Sequence, residues 1–278
     1  MKDDVVSIIV PTYNRRNFLP INLKSLINQT HDNIEILVIN DHGEDVSDII
    51  NSFNDPRIKY MVNEKNLGLG GSRNVGIKNA TGKWICTIDD DDGATNIFIE
   101  SMLRVLNKTG YDIAYCDSVR LHQKKDENDN YQIVWRDIPY SHDFNRDLLL
   151  VMNITPVNCL MINKKCFDNV PPYDEIIPVY EDHKMNIELS LKYDFYHYPV
   201  PLVWHTWRED GSTMSSSRDF TTPLPKIYQK YFKYASNELW VANAMNNVLV
   251  QRGLQPLFNI QYKEEQKWKK IEQILNNY

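Results

Sequence analysis

Four consecutive aspartates at positions 89–92 directly follow an apolar run, residues 84–88, that is typical of a buried strand. Four carboxylates at one strand end repel one another unless a cation joins them. Hard cations such as Mg²⁺ and Mn²⁺ prefer oxygen ligands and keep positions open for phosphate oxygens. A calcium loop of the EF-hand type is excluded, because Ala94 stands where that loop needs glycine and a strand precedes it. The run therefore indicates either a metal–phosphate site or an acidic surface loop.

Two more polar segments follow predicted strands nearer the N-terminus. Residues 11–15, Pro-Thr-Tyr-Asn-Arg, end the first apolar run, and residues 40–43, Asn-Asp-His-Gly, end the second. In a doubly wound sheet these strand ends lie side by side, so residues distant in sequence line one crevice. A plain strand-to-helix turn explains the first segment equally well.

A glycine-rich segment, NLGLGGSRNVG at residues 66–76, precedes a predicted helix. Glycines let the backbone approach a ligand closely, and a helix N-terminus favours an anion. The segment matches neither a P-loop nor the dinucleotide GxGxxG pattern. Arg73 is a candidate phosphate or base contact, with a surface salt bridge as the alternative. Glu181 and Asp182 begin another predicted helix, where acidic residues also serve as caps.

The candidate site residues would be positioned by strands and helices that alternate in the first half of the chain. Strands are predicted at residues 5–12, 34–39, 58–62 and 84–88, with helices at 18–28, 46–53 and 72–80. The alternation predicts an α/β protein with a mostly parallel, doubly wound nucleotide-binding sheet. After residue 110 the predicted strands are 112–119, 133–135, 158–162 and 199–207, with a polar hairpin tip at 124–130 and helices at 181–192, 226–251 and 263–276.

Bulk properties narrow the class of protein. A net charge of −6 argues against nucleic-acid binding, which usually needs a basic surface. No stretch reaches the ~18 apolar residues of a membrane span, and the first residues lack a signal-peptide pattern, so we expect a cytoplasmic protein. The four cysteines share no CxxC spacing, which favours reduced thiols in the core.

Taken together, the ordered motifs resemble one known family. VSIIVPTYNR, the Asp-Gly turn after the second strand, NLGLGGSRNVG, the aspartate run and the downstream Glu-Asp are similar to those of family-two inverting glycosyltransferases with the GT-A fold. The resemblance runs from about residue 5 to residue 215. It implies that the nucleotide is bound by residues from the three strand ends and the glycine-rich segment: Pro11, Thr12, Tyr13, Asn14, Asp41, Arg73, Asp89 and Asp90.

The resemblance also implies the chemistry. Asp41 would accept a hydrogen bond from the base, and Asp90 would lie near the ribose. Asp91 would bind a divalent metal, Mn²⁺ or Mg²⁺, with support from Asp89. Asp182 would be the general base.

Further contacts follow from the same resemblance, together with two departures from the family pattern. Diphosphate or acceptor contacts are expected from Glu181, His205 and Arg208, and a phosphate contact from the lysines at 164–165. Asn40 replaces an aspartate common at that position in the family. The segment around His205 and Arg208 does not match the family's Tyr-Arg-x-His pattern, so which of the two contacts the diphosphate stays open.

The predicted function is transfer of a sugar from a nucleotide-sugar donor, with UDP favoured, to a hydroxyl of a glycan or lipid-linked acceptor in bacterial surface polysaccharide synthesis. The alternatives are a sugar nucleotidyltransferase and a non-catalytic nucleotide- or carbohydrate-binding module. No nucleic-acid partner is expected.

The predicted organisation is a catalytic domain, residues 1–222, with a helical extension at 223–278. The domain divides into a nucleotide-binding half, 1–110, and an acceptor half, 111–222. Seven apolar positions suggest that the extension is extensively buried, on its own domain or in a homo-oligomer: Ile227, Tyr231, Tyr234, Leu239, Met245 and 248–249. Lysines at 263, 267, 269 and 270 raise the alternative of peripheral contact with the inner face of the membrane.

Overall fold

The computed structural model describes residues 4–213 and 219–258 and contains one mixed sheet of nine strands in that part of the chain. The strands are β1 Val6–Thr12, β2 Ile34–Asn40, β3 Ile58–Val62, β4 Trp84–Thr87, β5 Gly93–Ala94, β6 Ile113–Lys125, β7 Tyr131–Asp137, β8 Leu160–Asn163 and β9 Phe195–Arg208. Their order across the sheet is β3-β2-β1-β4-β8-β6-β9-β5, and β7 pairs with β6.

The first half of the chain forms the predicted parallel sheet. Strands β3, β2, β1 and β4 are parallel to one another, and every residue of β1 and β2 is buried. Burial on both faces explains why these strands are continuous apolar runs. The surrounding helices are α1 Leu19–Ile27, α2 Ser47–Phe53, α3 Gly68–Asn79 and α4 Phe98–Thr109.

Two of these helices differ from the prediction. Helix α3 begins at Gly68, four residues before the predicted start, because the glycines that suggested a loop are helical. For Gly76 the reason is packing. A Cβ at this position would lie 2.4 Å from Cγ2 of Ile9, so the glycine lets α3 pack closely against β1. Helix α4 was not predicted, although its buried residues recur at helical spacing.

The second half of the sheet is mixed. Strand β8 is antiparallel to both β4 and β6, whereas β6 and β9 are parallel. Strand β6 continues to Lys125, six residues past its predicted end, because pairing with β7 and β9 supports it beyond the core. The hairpin tip falls at residues 126–130, two residues after its predicted start, because residues 124–125 belong to β6. Two helices complete this half, α5 Arg146–Val151 and α6 Glu181–Ser190.

The predicted long helix at 226–251 is two helices, α7 Leu224–Tyr231 and α8 Glu238–Gln251. The chain breaks between them because Asp147 accepts hydrogen bonds from the backbone N–H groups of Ser236 and Asn237, at 2.8 and 2.9 Å. Asn237 then caps α8 by accepting a hydrogen bond from the N–H of Trp240.

Helices α7 and α8 pack with α5 and α6 in a second apolar cluster that includes Leu149, Leu150, Ile187, Ile227, Tyr228, Tyr231, Met245 and Leu249. Tyr234 and Leu239, expected to be buried, are exposed. The helix predicted at 263–276 lies outside the described residues. Within the described part of the chain, none of the helices has the length and apolar character needed to cross a membrane. The four cysteines are buried and unbridged.

Candidate active site

A cavity of about 460 Å³ lies at the carboxyl ends of β1, β2 and β4 and reaches the N-terminus of α6. It collects most of the side chains that the sequence singled out: Pro11, Thr12, Tyr13, Asp41, Arg73, Asp89, Asp90, Asp91, Glu181, Asp182 and His205. The strand ends and the start of α6 therefore form one site.

Two predicted residues, Asn14 and Arg208, are not among the lining residues. Oδ1 of Asn14 accepts a hydrogen bond from the N–H of Glu44 at 2.8 Å, so this side chain positions the loop after β2. Asn40 acts on the same loop, because its amide donates to the carbonyl of Glu44 at 2.8 Å and accepts from the N–H of Gly43.

The lysines at 164–165 do not lie at the cavity. Lys164 donates to the carbonyl of Ala80, and Lys165 pairs with Asp112 at 2.7 Å. The expected phosphate contact from these two residues is wrong, because the turn after β8 directs them to a different part of the surface.

Asp41 follows β2 and is nearly fully buried. Its Oδ1 accepts hydrogen bonds from the side chain of Asn63 and the N–H of Leu67, both at 2.8 Å, and its Oδ2 accepts from the N–H of Gly68 at 2.9 Å. These donors stabilise a carboxylate in a buried position. Because a carboxylate oxygen accepts more than one hydrogen bond, Oδ2 retains capacity for a donor in the cavity.

Arg73 is buried and joins two carboxylates from distant parts of the chain. It donates to Asp89 at 2.8 and 3.0 Å and to Oε1 of Glu181 at 2.7 Å. Burial raises the pKa of Glu181 to about 7, although Arg73 opposes the rise. The alternative of a surface salt bridge at Arg73 is wrong, because its relative exposure is 1%.

Asp90 and Asp92 are the two most buried members of the aspartate run. Asp90 accepts a hydrogen bond from the hydroxyl of Thr12 at 2.7 Å, and burial, assisted by the neighbouring charge of Asp91, raises its pKa to about 7. Asp92 accepts from the N–H of Thr206 at 3.1 Å and from the amide of Asn158 at 3.3 Å. Burial also raises the pKa of Asp92. The acidic-surface-loop alternative is therefore wrong for these two residues.

Asp91 pairs with two arginines. Arg15 and Arg208 each donate to its Oδ2 at 2.8 Å, and the Arg208 guanidinium lies over the ring of Phe18. Both partners are far from Asp91 in sequence, and no sequence pattern indicated this pairing. The negative charge of Asp91 is thus offset by protein groups.

The donor set around Asp91 is limited as a metal site. Among the described residues, no group of three or more His, Cys, Asp or Glu side chains is arranged to hold a metal ion. Both arginines donate to Oδ2 of Asp91, and neither donates to its Oδ1. One carboxylate oxygen plus substrate phosphates is a usual donor set for Mg²⁺. The residues present therefore fit a metal that is held partly by a diphosphate, not a metal caged by protein.

Asp182, in the first turn of α6, lines the same cavity as Asp41. Its Oδ2 accepts a hydrogen bond from Asn153 at 2.8 Å, and its Oδ1 accepts from the N–H of His183 at 2.7 Å. The side chain is only partly buried, so it stays accessible from the cavity. Asn153 was not predicted, and no sequence signal marks it.

His205 lies on β9, and its Nδ1 is 2.8 Å from the hydroxyl of Ser118. Burial lowers the pKa of His205 to about 4, so the ring is neutral near pH 7. The cavity also contains Arg15 and Tyr140, which the sequence analysis did not select. Arg15 ends the VSIIVPTYNR motif, so its position was a usable signal.

The sequence model of the glycosyl transferase family 2 matches residues 7–170, more than half of the chain and most of the site. The chain belongs to this family. The match includes β1, α3 and the aspartate run, which supply many of the residues that line the cavity. It ends before Asp182.

Individual relatives agree with the family. An uncharacterised glycosyltransferase of Haemophilus influenzae is 27% identical over 237 residues, which cover 82% of this chain and 78% of the relative. One of Rickettsia bellii is 36% identical over 133 residues, which cover 47% of this chain but only 19% of that protein. This chain thus corresponds to a small part of the second relative.

Solved structures show the same fold. The crystal structure of Staphylococcus aureus TarS 1–349 in complex with UDP-GlcNAc matches with a TM-score of 0.71 at 18% identity, and the match covers 98% of this chain and 79% of that one. The predicted GT-A fold is confirmed.

Proposed function

We propose that this family 2 member is an inverting glycosyltransferase. It would transfer a sugar from a nucleotide-sugar donor, with a UDP-sugar favoured, to a hydroxyl of a glycan or lipid-linked acceptor. We place this reaction in bacterial surface polysaccharide synthesis, on the cytoplasmic face of the membrane where the acceptor is lipid-linked. The observation that supports it best is that Asp182 and the aspartate run share one cavity with Asp41.

The part of the cavity around Asp41 suits the nucleobase of the donor. Asp41 has a remaining acceptor position on Oδ2, which fits an N–H of uracil. Pro11 and the half-exposed Tyr13 line the same region and would contact the base or ribose. The complex of TarS with UDP-GlcNAc supports a UDP donor by similarity of fold.

The part of the cavity around the aspartate run suits the negative charge that develops on the nucleoside diphosphate as it leaves. Arg15 and Arg208 meet at Asp91, and Arg73 meets Asp89, so three guanidiniums surround the acidic run. A divalent metal bound at Asp91 would add positive charge beside the diphosphate. Positive groups fixed before the reaction lower the barrier because they need little reorganisation.

The part of the cavity at the start of α6, where the acceptor sugar would lie, suits a general base. Inverting transfer is a single displacement at the anomeric carbon, so the acceptor hydroxyl loses its proton as the new bond forms. Asp182 can take that proton, because hydrogen bonds from Asn153 and the backbone orient its carboxylate without covering it. No covalent intermediate on the protein is required.

A donor hydrolysis screen tests this proposal. Purified protein is incubated with UDP-, GDP- and dTDP-sugars, each with Mn²⁺, with Mg²⁺ and with EDTA, and release of the nucleoside diphosphate is measured. We expect turnover with a subset of UDP-sugars that is lost in Asp182→Asn. The matched control is Asp168→Asn, which removes an exposed carboxylate outside the cavity. Absence of turnover with every donor would refute the enzymatic assignment, and turnover confined to GDP- or dTDP-sugars would refute the base preference.

A further inference from the structure

A track of aromatic rings leads away from the cavity along one face of β6, β7 and β9. His122 on β6 is the register partner of Trp135 on β7 and of Trp207 on β9. Its ring stacks on Trp135 with centroids 3.5 Å apart and an interplanar angle of 13°, and lies 5.1 Å from Trp207. Trp135 is 50% exposed. Stacking on one side therefore holds the indole in place while much of the ring faces solvent.

The track is continuous with the proposed catalytic site. His205 precedes Trp207 by two residues on β9, so both side chains lie on the same face, about 7 Å apart. The rings of His205 and Tyr140 are 5.8 Å apart, and both residues line the cavity that holds Asp182. An acceptor whose hydroxyl reaches Asp182 would thus extend along this face.

A partly exposed ion pair lies between the cavity and Trp135. Arg120 donates to Asp137 at 2.9 Å, and the side chains are 21% and 29% exposed. Arg120 is the register partner of both Asp137 and His205, and it precedes His122 on β6 by two residues, so the two side chains lie on the same face. The face therefore presents a flat apolar ring beside hydrogen-bonding groups at its edge.

We propose that this face is an acceptor subsite for a pyranose ring of a glycan. A pyranose has an apolar C–H face and hydroxyls around its rim, which match the open face of Trp135 and the Arg120–Asp137 pair respectively. A lipid surface or a second copy of the chain would gain nothing from a charged pair at the centre of its contact, since those charges lose water on burial. The assignment of the bound sugar as acceptor rests on the proposed function; the binding of a sugar does not.

Trp135 and Val134 provide a matched pair of variants. Val134 is 51% exposed and adjacent in sequence, but it lies at the shift in register between β6 and β7, where Trp135 pairs with His122 and Ile133 with Gln123, so it has no part in the stack on His122. Trp135→Ala removes the ring, Val134→Ala removes a comparable exposed apolar group, and Trp135→Phe keeps an aromatic face.

Binding is measured without donor on ¹⁵N-labelled protein with a panel of p-nitrophenyl pyranosides: the β-glucoside, β-galactoside, N-acetyl-β-glucosaminide and α-rhamnoside. The indole N–H signal of Trp135 is assigned by its absence from Trp135→Phe. We expect at least one glycoside to shift this signal, and its affinity to fall about tenfold or more in Trp135→Ala, little in Trp135→Phe, and not in Val134→Ala.

Donor hydrolysis, with water as acceptor, should be unchanged in all three variants, whereas transfer to a glycoside acceptor should show a raised KM in Trp135→Ala alone. A panel without any shift of the Trp135 signal, or equal affinities in Trp135→Ala and Val134→Ala, would overturn the proposal. The proposal would also be overturned if Trp135→Ala, alone among the variants, lost self-association in sedimentation or binding to phosphatidylglycerol vesicles. Failure of wild-type donor hydrolysis would refute the proposed function while the glycoside shifts still report on this face.

Discussion

Replacing Asp182 by asparagine should affect turnover and stability in different ways. Asp182 is the proposed general base, so its loss should lower turnover by about 10²- to 10⁴-fold, because no carboxylate is then placed to take the acceptor proton. Donor affinity should be unchanged, because the residues proposed to bind the nucleotide lie at other elements of the cavity.

The stability change follows from the two donors on the carboxylate. Asn153 and the N–H of His183 each point at one oxygen of Asp182, whereas an asparagine there has one oxygen and one NH₂ group. Asn153 is held in its orientation, because its Oδ1 accepts from Thr155 N–H and Asn186, both at 3.3 Å. In the Asp182→Asn variant the new NH₂ group would therefore point at an N–H of Asn153 or His183, and two hydrogen-bond donors that face each other cost about 1–3 kcal/mol when buried. Because both side chains are partly exposed, we expect about 1 kcal/mol, or a fall in Tm of about 2–4 °C.

The swap Asn153→Asp with Asp182→Asn separates the two effects. A carboxylate at 153 accepts from the new amide and from its other donors, so stability should recover while transfer stays low. The assays are thermal unfolding, calorimetric donor binding and initial rates of transfer. Loss of donor affinity in a folded Asp182→Asn variant, a fall in turnover of less than about tenfold, or recovery of transfer in the swap would each contradict the assignment of the base.

Four further outcomes are expected. Asp91→Ala should abolish Mn²⁺-dependent tightening of nucleoside diphosphate binding in calorimetry; tightening like that of wild type would exclude Asp91 as the ligand. Asp41→Ala should weaken binding of UDP about tenfold or more even in EDTA, since it removes a hydrogen bond to the base, and an unchanged Kd would count against base recognition. Arg73→Met should lower the free energy of unfolding more at pH 8 than at pH 6. The pKa of Glu181 is about 7 with Arg73 present, and without Arg73, keeping Glu181 ionised above pH 7 costs up to about 1.4 kcal/mol more per pH unit. Equal losses of stability at both pH values would refute this coupling of Arg73 to Glu181. Truncation after residue 222 should give insoluble protein, because it exposes the second apolar cluster; a soluble, folded truncated form in circular dichroism would contradict this.

The sequence predicted the strand ends well because their signals are local. Apolar runs followed by polar residues identify β1, β2 and β4, and parallel pairing then brings Thr12, Asp41 and Asp89 together whatever follows. The helix that carries Asp182 was also found from its own start signal.

Contacts that depend on tertiary packing were not predictable in the same way. Arg208 reaches Asp91 only because β6, β9 and the aspartate run meet in three dimensions, across 117 positions of sequence. The break before α8 depends on Asp147, a residue 89 positions earlier. Single-sequence patterns describe which face of an element is apolar, and they do not describe which partner that face meets.

The double attachment of Arg73 has a consequence for how the protein could diversify. The guanidinium of Arg73 ties Asp89, the first aspartate after β4, to the first residue of α6, which is 108 positions after Arg73 in the sequence. The location of Asp182 relative to Asp89 is therefore held by this tie as well as by the chain that connects them. Substitutions in the intervening hairpin and loops can change what the cavity admits while the reacting groups keep their separation. New acceptor preferences could then arise in this fold without loss of the chemical step.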